Sequence, residues 1–126
     1  MSIEGLGVDL IEVGRIEKAL ERWGDLFEKR ILTPKERCVQ GLQTHRTAFI
    51  AGRFAAKEAV FKAVGFNPGW HAVEVLPTSS GRPVVKLAST FVSVSGRRIG
   101  QVLVSISHSK TLAVAQAIAL GEHTTR

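Results

Sequence analysis

Four charged residues, Arg53, Lys57, Glu58 and Lys62, punctuate the stretch GRFAAKEAVFKAVG, from Gly52 to Gly65, which is otherwise apolar or small. Charges on a mostly enclosed segment must be paired, must coordinate a cation or must line a cleft that holds a charged ligand. One carboxylate among three cations points to an anionic ligand. The plainer alternative is structural, since Glu58 and Lys62 stand at i,i+4 in their favourable order, worth about 0.2–0.5 kcal/mol. Arg53 and Lys57 have the same spacing and like sign, which is unfavourable unless something negative sits between or above them. Two further candidates lie far off in the chain. Asp9 interrupts the apolar run IEGLGVDLI, Ile3 to Ile11, either as a turn or capping carboxylate or as a functional one. His108, flanked by Ser107, Ser109 and Lys110, is either a strand-end histidine or part of a set of phosphate donors.

These residues must be positioned by a small number of elements. Ala48 to Val64 reads as a helix of about four turns, stopped by Gly65 in the left-handed conformation that helices favour just past their end. Phe49, Val60 and Val64 share one arc and Ala51, Ala55 and Ala59 the opposite side, so the helix is buried on most sides. Ile3 to Ile11 reads as a strand whose backbone is closely approached at Gly5 and Gly7. From Glu12 to Trp23, Val13, Ile16, Leu20 and Trp23 recur at helical spacing, with Arg15, Lys18 and Arg22 together on another side. That basic stripe is either a solvated face or a dock for an acidic helix of another protein. Thr33-Pro34-Lys35-Glu36 is a helix start with a capping box, opening a short helix to about Gly41. After a turn at Asn67-Pro68-Gly69, Ala72 to Leu76 and Pro83 to Leu87 form a hairpin, and Gln101 to Ser107 and Leu112 to Leu120 a second one. Val102, Val104, Ile106 and His108 fall on one face of the latter. Thr90 to Gly96 fits a strand or a short helix equally, and GEHTTR reads as a frayed tail.

At 126 residues the chain reads as one domain, residues 1–126, small for enclosing a deep active site alone, which favours sites between subunits. Hydrophobic residues at 44% and charged ones at 22% exclude a disordered chain. No run approaches the roughly 20 apolar residues that span a bilayer, and the acidic N-terminus does not fit a signal peptide, so no membrane partner and a cytoplasmic location are expected. The single cysteine, Cys38, agrees with a reducing compartment. A net charge of +6 calls for an acidic partner. Nucleic acid is disfavoured, because there is no Tyr and the Phe and Trp residues are not interleaved with Lys and Arg.

Three pieces together, GVDLIEVGR from Gly7 to Arg15, RFAAKEAVFK from Arg53 to Lys62 and SISHS from Ser105 to Ser109, resemble the small, single-module 4'-phosphopantetheinyl transferases, the holo-acyl-carrier-protein synthase family. The resemblance covers nearly the whole chain. It implies an α+β fold in which an antiparallel sheet packs around a long central helix, in a small domain assembling as a homotrimer with active sites at subunit boundaries. It implies transfer of the 4'-phosphopantetheine arm of coenzyme A to a serine of apo acyl carrier protein, releasing adenosine 3',5'-bisphosphate. By the same resemblance Asp9 and Glu58 ligate Mg²⁺, a hard cation suited to carboxylate, water and phosphate oxygens. Lys62 then reaches the diphosphate, and Glu58, directly or through a bound water, takes the serine proton. Arg53 and His108 hold the 3'-phosphate and nucleotide end of coenzyme A, and Lys57, Lys62, Gly65 and Ser109 are further residues expected to bind the coenzyme. Arg15 docks the carrier protein, extended by Lys18 and Arg22. The segment Ser89 to Gly100 is longer than expected between strands. The competing reading, a non-catalytic module binding a nucleotide or acidic protein, needs the basic residues but not the carboxylate pair. A basic nucleic-acid-binding domain is the third.

Overall fold

The computed structural model describes residues 1–39 and 45–122. Strand β1 (Ile3–Glu12) leads into α1 (Val13–Trp23), α2 (Asp25–Ile31), α3 (Pro34–Arg37) and the long α4 (Arg46–Val64). A single 3₁₀ turn, Trp70–Ala72, precedes the hairpin β2 (Val73–Pro77) and β3 (Pro83–Leu87), and the hairpin β4 (Ile99–His108) and β5 (Leu112–Gly121) follows. β1, β5 and β4 form an antiparallel sheet in that order, and β2 pairs antiparallel with β3. The architecture is the expected α+β arrangement of an antiparallel sheet against a central helix.

What lets the helix lie on the sheet is the absence of side chains between them. Successive residues of a strand point to opposite faces, so Gly5, Gly7, Asp9 and Ile11 share the face of β1 turned to α4. A Cβ on Gly5 would stand 1.8 Å from the carbonyl oxygen of Ala63, and one on Gly7 1.9 Å from that of Ala59. Their partners across the ladder are Ala119 and Ala117, followed by Ala115 opposite Asp9 and Ala113 opposite Ile11, all four buried. The glycines thus allow backbone contact between strand and helix, as their spacing indicated. The helix crosses the sheet obliquely: Ala59 and Ala63 lie over β1, whereas a Cβ on Gly52 would stand 3.2 Å from the Ile106 side chain on β4.

The other face of the sheet carries Leu6, Val8 and Leu10, which are 57 to 63% exposed. On the far side of α4, α1 to α3 and the β2–β3 hairpin close the core through Ile16, Ile31, Leu32, Val73 and Val75.

Several boundaries differ from expectation. α4 runs 19 residues, longer than the four turns anticipated, and ends at Gly65 with φ 91° as foreseen. The capping box of Thr33 and Glu36 is present in both directions, but α3 stops at Arg37, short of Gly41, which lies outside the described residues. The seven-residue α2 was not anticipated; Gly24, at φ 55°, breaks the chain between it and α1. Trp23, assigned above to the apolar face of α1, is more than half exposed beside a groove, whereas Ile16 is buried and Val13 and Leu20 pack on the core. Thr90 to Gly96 is neither strand nor helix. Val92 makes one antiparallel bridge with Arg98, and the turn between closes through Ser93 N–H to the Arg97 carbonyl at 2.8 Å. Ser93, Ser95 and Arg97 converge there on Glu4, whose carboxyl the Ser2 and Ser95 hydroxyls hold below its usual range. Gly121, read as tail, closes β5, and the Glu122 amide donates to the Arg98 carbonyl at 2.7 Å; residues 123–126 lie outside the described part.

Candidate active site

The seam between β1 and α4 gathers Asp9, Glu58 and Lys62. Asp9 reaches the seam because it continues the row of Gly5 and Gly7, and Glu58 and Lys62 because one helical turn separates them on the same side of α4. Lys62 Nζ lies 3.3 Å from Asp9 Oδ1 and donates to the Val8 carbonyl at 3.0 Å. The Glu58 carboxyl is raised above its usual range, first by desolvation and then by the Asp9 charge, with Lys62 pulling the other way. The Asp9 charge therefore reaches Glu58, with a single cation beside the pair, and that repulsion is what a bound divalent cation would relieve. Among the described residues no cluster of three or more His, Cys, Asp or Glu offers a complete protein cage. Two oxygen ligands with the rest of an octahedron left to water and phosphate is the arrangement that suits Mg²⁺.

A second pocket, about 280 Å³, lies on the other flank of α4 and is lined by His45, Phe49, Gly52, Arg53, Ile106 and His108. Arg53 is almost buried; its guanidinium carbon stands 4.2 Å from the centre of the Phe49 ring, and Nε donates to the Val75 carbonyl at 3.1 Å. The remaining guanidinium donors are not tied by these contacts. α4 begins here with His45 as its N-cap, which makes no side-chain cap bond, and the positive end of the helix dipole adds to the cationic character of the pocket. Ser109, in the β4–β5 turn beside His108, accepts the Thr111 and Leu112 amides through Oγ, which leaves its hydroxyl proton available. Gly65, one turn beyond Lys62, forms the end of α4 with Val94 packed against it.

The two clusters do not meet within one chain. β1 and β4 are the two edges of the sheet, separated by β5, so Asp9 and His108 lie about 10 Å apart across the strands in addition to their offset along them.

Lys57 corrects the expectation that it binds a ligand. It is wholly buried on the other side of α4, and its three ammonium protons are consumed by Glu36 Oε1 at 2.7 Å and the carbonyls of Ile31 at 2.7 Å and Trp70 at 2.9 Å. Arg15, Lys18 and Arg22, by contrast, are exposed on α1 as expected, and none forms an ion pair with another described residue. Next to them lies a feature that the sequence did not disclose, an apolar groove of about 570 Å³ lined by Trp23, Leu26, Phe27, Phe54 and Trp70 with Arg30 at its rim. Its wall is largely α2, and Phe54 and Trp70 stack with ring centres 4.9 Å apart.

The chain is similar to known proteins over nearly its full length. It is 44% identical to the holo-acyl-carrier-protein synthase of Alkaliphilus metalliredigens over 121 residues, covering 93% of this chain and 98% of that protein. Among solved structures, the holo-ACP-synthase of Plasmodium yoelii superposes with a TM-score of 0.83 at 31% identity, covering 97% of this chain and 98% of that one. The holo-acyl-carrier-protein synthase of Bacillus anthracis, solved in complex with coenzyme A (3',5'-ADP), gives 0.74 at 38% identity, covering 95% and 98%. Residues 5–115 match the family described as the 4'-phosphopantetheinyl transferase superfamily, a span that includes every site residue named above. The chain belongs to that superfamily.

Proposed function

We propose that this chain transfers the 4'-phosphopantetheine arm of coenzyme A to a serine hydroxyl of an apo acyl carrier protein and releases adenosine 3',5'-bisphosphate. The observation that carries the reading is the juxtaposition of Asp9, Glu58 and Lys62 at one seam, with the Glu58 carboxyl raised. A module that only binds an acidic ligand has no use for two opposed carboxylates.

Asp9 and Glu58 are the residues that would hold Mg²⁺, which when bound supplies charge neutralisation at the diphosphate. The steps that belong to the chain itself are three. Lys62 donates to the phosphate that becomes the leaving group, where negative charge accumulates. Glu58, directly or through a bound water, accepts the proton of the attacking serine. Arg53, His108 and Ser109 hold the phosphorylated nucleoside end, in a pocket that also receives the start of α4.

One coenzyme A must touch both clusters, yet α4 separates them within a single chain. A homotrimer in which the β1–α4 seam of one copy meets the Arg53 pocket of the next resolves this, and the exposed Leu6, Val8 and Leu10 give such copies an apolar face to bury. The carrier protein docks on α1, its acidic helix against Arg15, Lys18 and Arg22 and an apolar side chain in the Trp23–Phe54–Trp70 groove. Among the described residues no helix is long and apolar enough to cross a membrane.

The test is release of adenosine 3',5'-bisphosphate, followed chromatographically. It should require coenzyme A, apo carrier protein and Mg²⁺ together, and disappear for Glu58→Gln. Near-normal release by Glu58→Gln at saturating Mg²⁺ would remove that residue from both of its roles.

A further inference from the structure

We propose that Lys57, which touches neither cluster, is a positioning residue that sets the roll of α4 and so holds the Glu58 carboxylate opposite Asp9. This rests on the assignment of Asp9 and Glu58 as a divalent-cation site.

The contact between α4 and strands β1 and β5 is smooth. On the β1 side α4 presents Ala59 and Ala63 to Gly5 and Gly7, and on the β5 side the sheet presents Ala113, Ala115, Ala117 and Ala119. Packing without interdigitating side chains fixes the distance between helix and sheet but offers few ridges to resist rotation about the helix axis. At ~100° per residue, a roll of one residue's worth would carry Glu58 away from the seam. The sheet resists rotation chiefly at one point, where Ile106 stands against Gly52, and the opposite face of α4 must supply the rest.

Lys57 is placed to do this. It lies about 160° around the axis from Ala59, on the face turned away from the sheet. There its ammonium is held by three acceptors from three separate segments: the end of α2 at Ile31, Glu36 on α3, and Trp70 in the 3₁₀ turn. Glu36 is itself fixed, accepting the amide of Thr33 at 2.8 Å through Oε1 and that of Val75 at 2.7 Å through Oε2. Arg53, one turn earlier on the same side, adds its bond to the Val75 carbonyl. The knot is saturated: among the described residues no buried side-chain polar atom lacks a partner. Because Lys57 and Glu58 are adjacent, the clamp acts one residue from the carboxylate that it orients.

The experiment compares Mn²⁺ binding, read from the electron paramagnetic resonance signal of the free ion, with thermal unfolding. The proteins are the wild-type chain, Lys57→Arg, the double variant Glu36→Gln/Lys57→Met, and Asp9→Asn. The double variant removes both buried charges together, so its fold does not depend on an orphaned carboxylate, while Lys57→Arg keeps the charge pair and alters its reach. We expect wild type to bind Mn²⁺, Asp9→Asn to lose it, and both Lys57 variants to bind about tenfold more weakly at temperatures far below their unfolding midpoints. Wild-type affinity in either folded Lys57 variant, whatever its unfolding temperature, overturns the positioning role. Failure of the wild-type chain itself to bind Mn²⁺, or unchanged binding by Asp9→Asn, overturns instead the cation site on which the proposal rests.

Discussion

Lys62 on α4 and Asp9 on β1 meet at 3.3 Å across 53 residues of sequence, while the same ammonium donates to the Val8 carbonyl. The lysine is half exposed, so the contact contributes little to stability; its consequence is that a cation stands at the mouth of the carboxylate pair. Lys62→Met should lower kcat by about 10²-fold, the usual loss when one charge-stabilising donor is removed, and leave the unfolding midpoint nearly unchanged. Steady-state kinetics beside a thermal melt checks this. A large loss of stability with kcat intact would assign Lys62 to the fold instead.

The raised Glu58 carboxyl makes a prediction about pH. A carboxyl that binds its proton more tightly folded than unfolded favours the fold below its ordinary value of 4.5, and that contribution is lost as pH rises through the folded value. Glu58→Gln should therefore melt above wild type at pH 7 without metal, and the difference should vanish at pH 4. Mg²⁺ at one hundred times its dissociation constant should stabilise wild type at pH 7 by about 2.7 kcal/mol and leave Glu58→Gln unmoved. A pH-independent difference would contradict the repulsion argued here.

Gly7 and Gly14 are expected to respond oppositely to alanine. At Gly7 the new methyl would meet the Ala59 carbonyl oxygen at 1.9 Å, and the neighbour is backbone, so the helix must lift; the cost should be about 3 kcal/mol or more. At Gly14, on the exposed side of α1 with nothing within 4 Å, alanine should stabilise by about 0.4–1 kcal/mol. Urea midpoints of the two variants decide the matter.

Reversing the charge of Arg15 tests the carrier dock. Arg15→Glu should raise KM for the carrier protein at least tenfold, most at low salt, while KM for coenzyme A stays put, because no residue of α1 lines the nucleotide pocket of Arg53 and His108. An unchanged carrier KM would remove α1 from the interface.

What could be read in the chain and what could not divides along physical lines. Local rules sufficed where the determinant is local: Thr33-Pro34-Lys35-Glu36 builds its capping box from four consecutive residues, and Gly65 stops α4 by its own conformational freedom. The pairing of Asp9 with Glu58 and Lys62 came from a motif resemblance, and geometry adds that the row Gly5-Gly7-Asp9 is what brings it to the helix. Lys57 was misplaced for the converse reason. Its charge stood out on a buried helix, but the acceptors that satisfy it lie 13 to 26 residues away, at Trp70, Glu36 and Ile31, and no spacing rule reports them. Likewise α2 is too short for a helical period to show, and the groove it forms with Phe54 and Trp70 exists only once those distant segments fold together. The split between the carboxylate seam and the Arg53 pocket follows from the strand order β1-β5-β4, which local pattern does not encode.

The most direct test of the whole account is the intact mass of an apo acyl carrier protein after incubation with this chain, coenzyme A and Mg²⁺, beside the same reaction in EDTA. The expected result is a gain of one phosphopantetheine arm on a single serine, absent with EDTA and absent with Glu58→Gln. Carrier proteins of several kinds that all retain their apo mass would contradict it, and would leave Asp9, Glu58 and Lys62 without the reaction assigned to them.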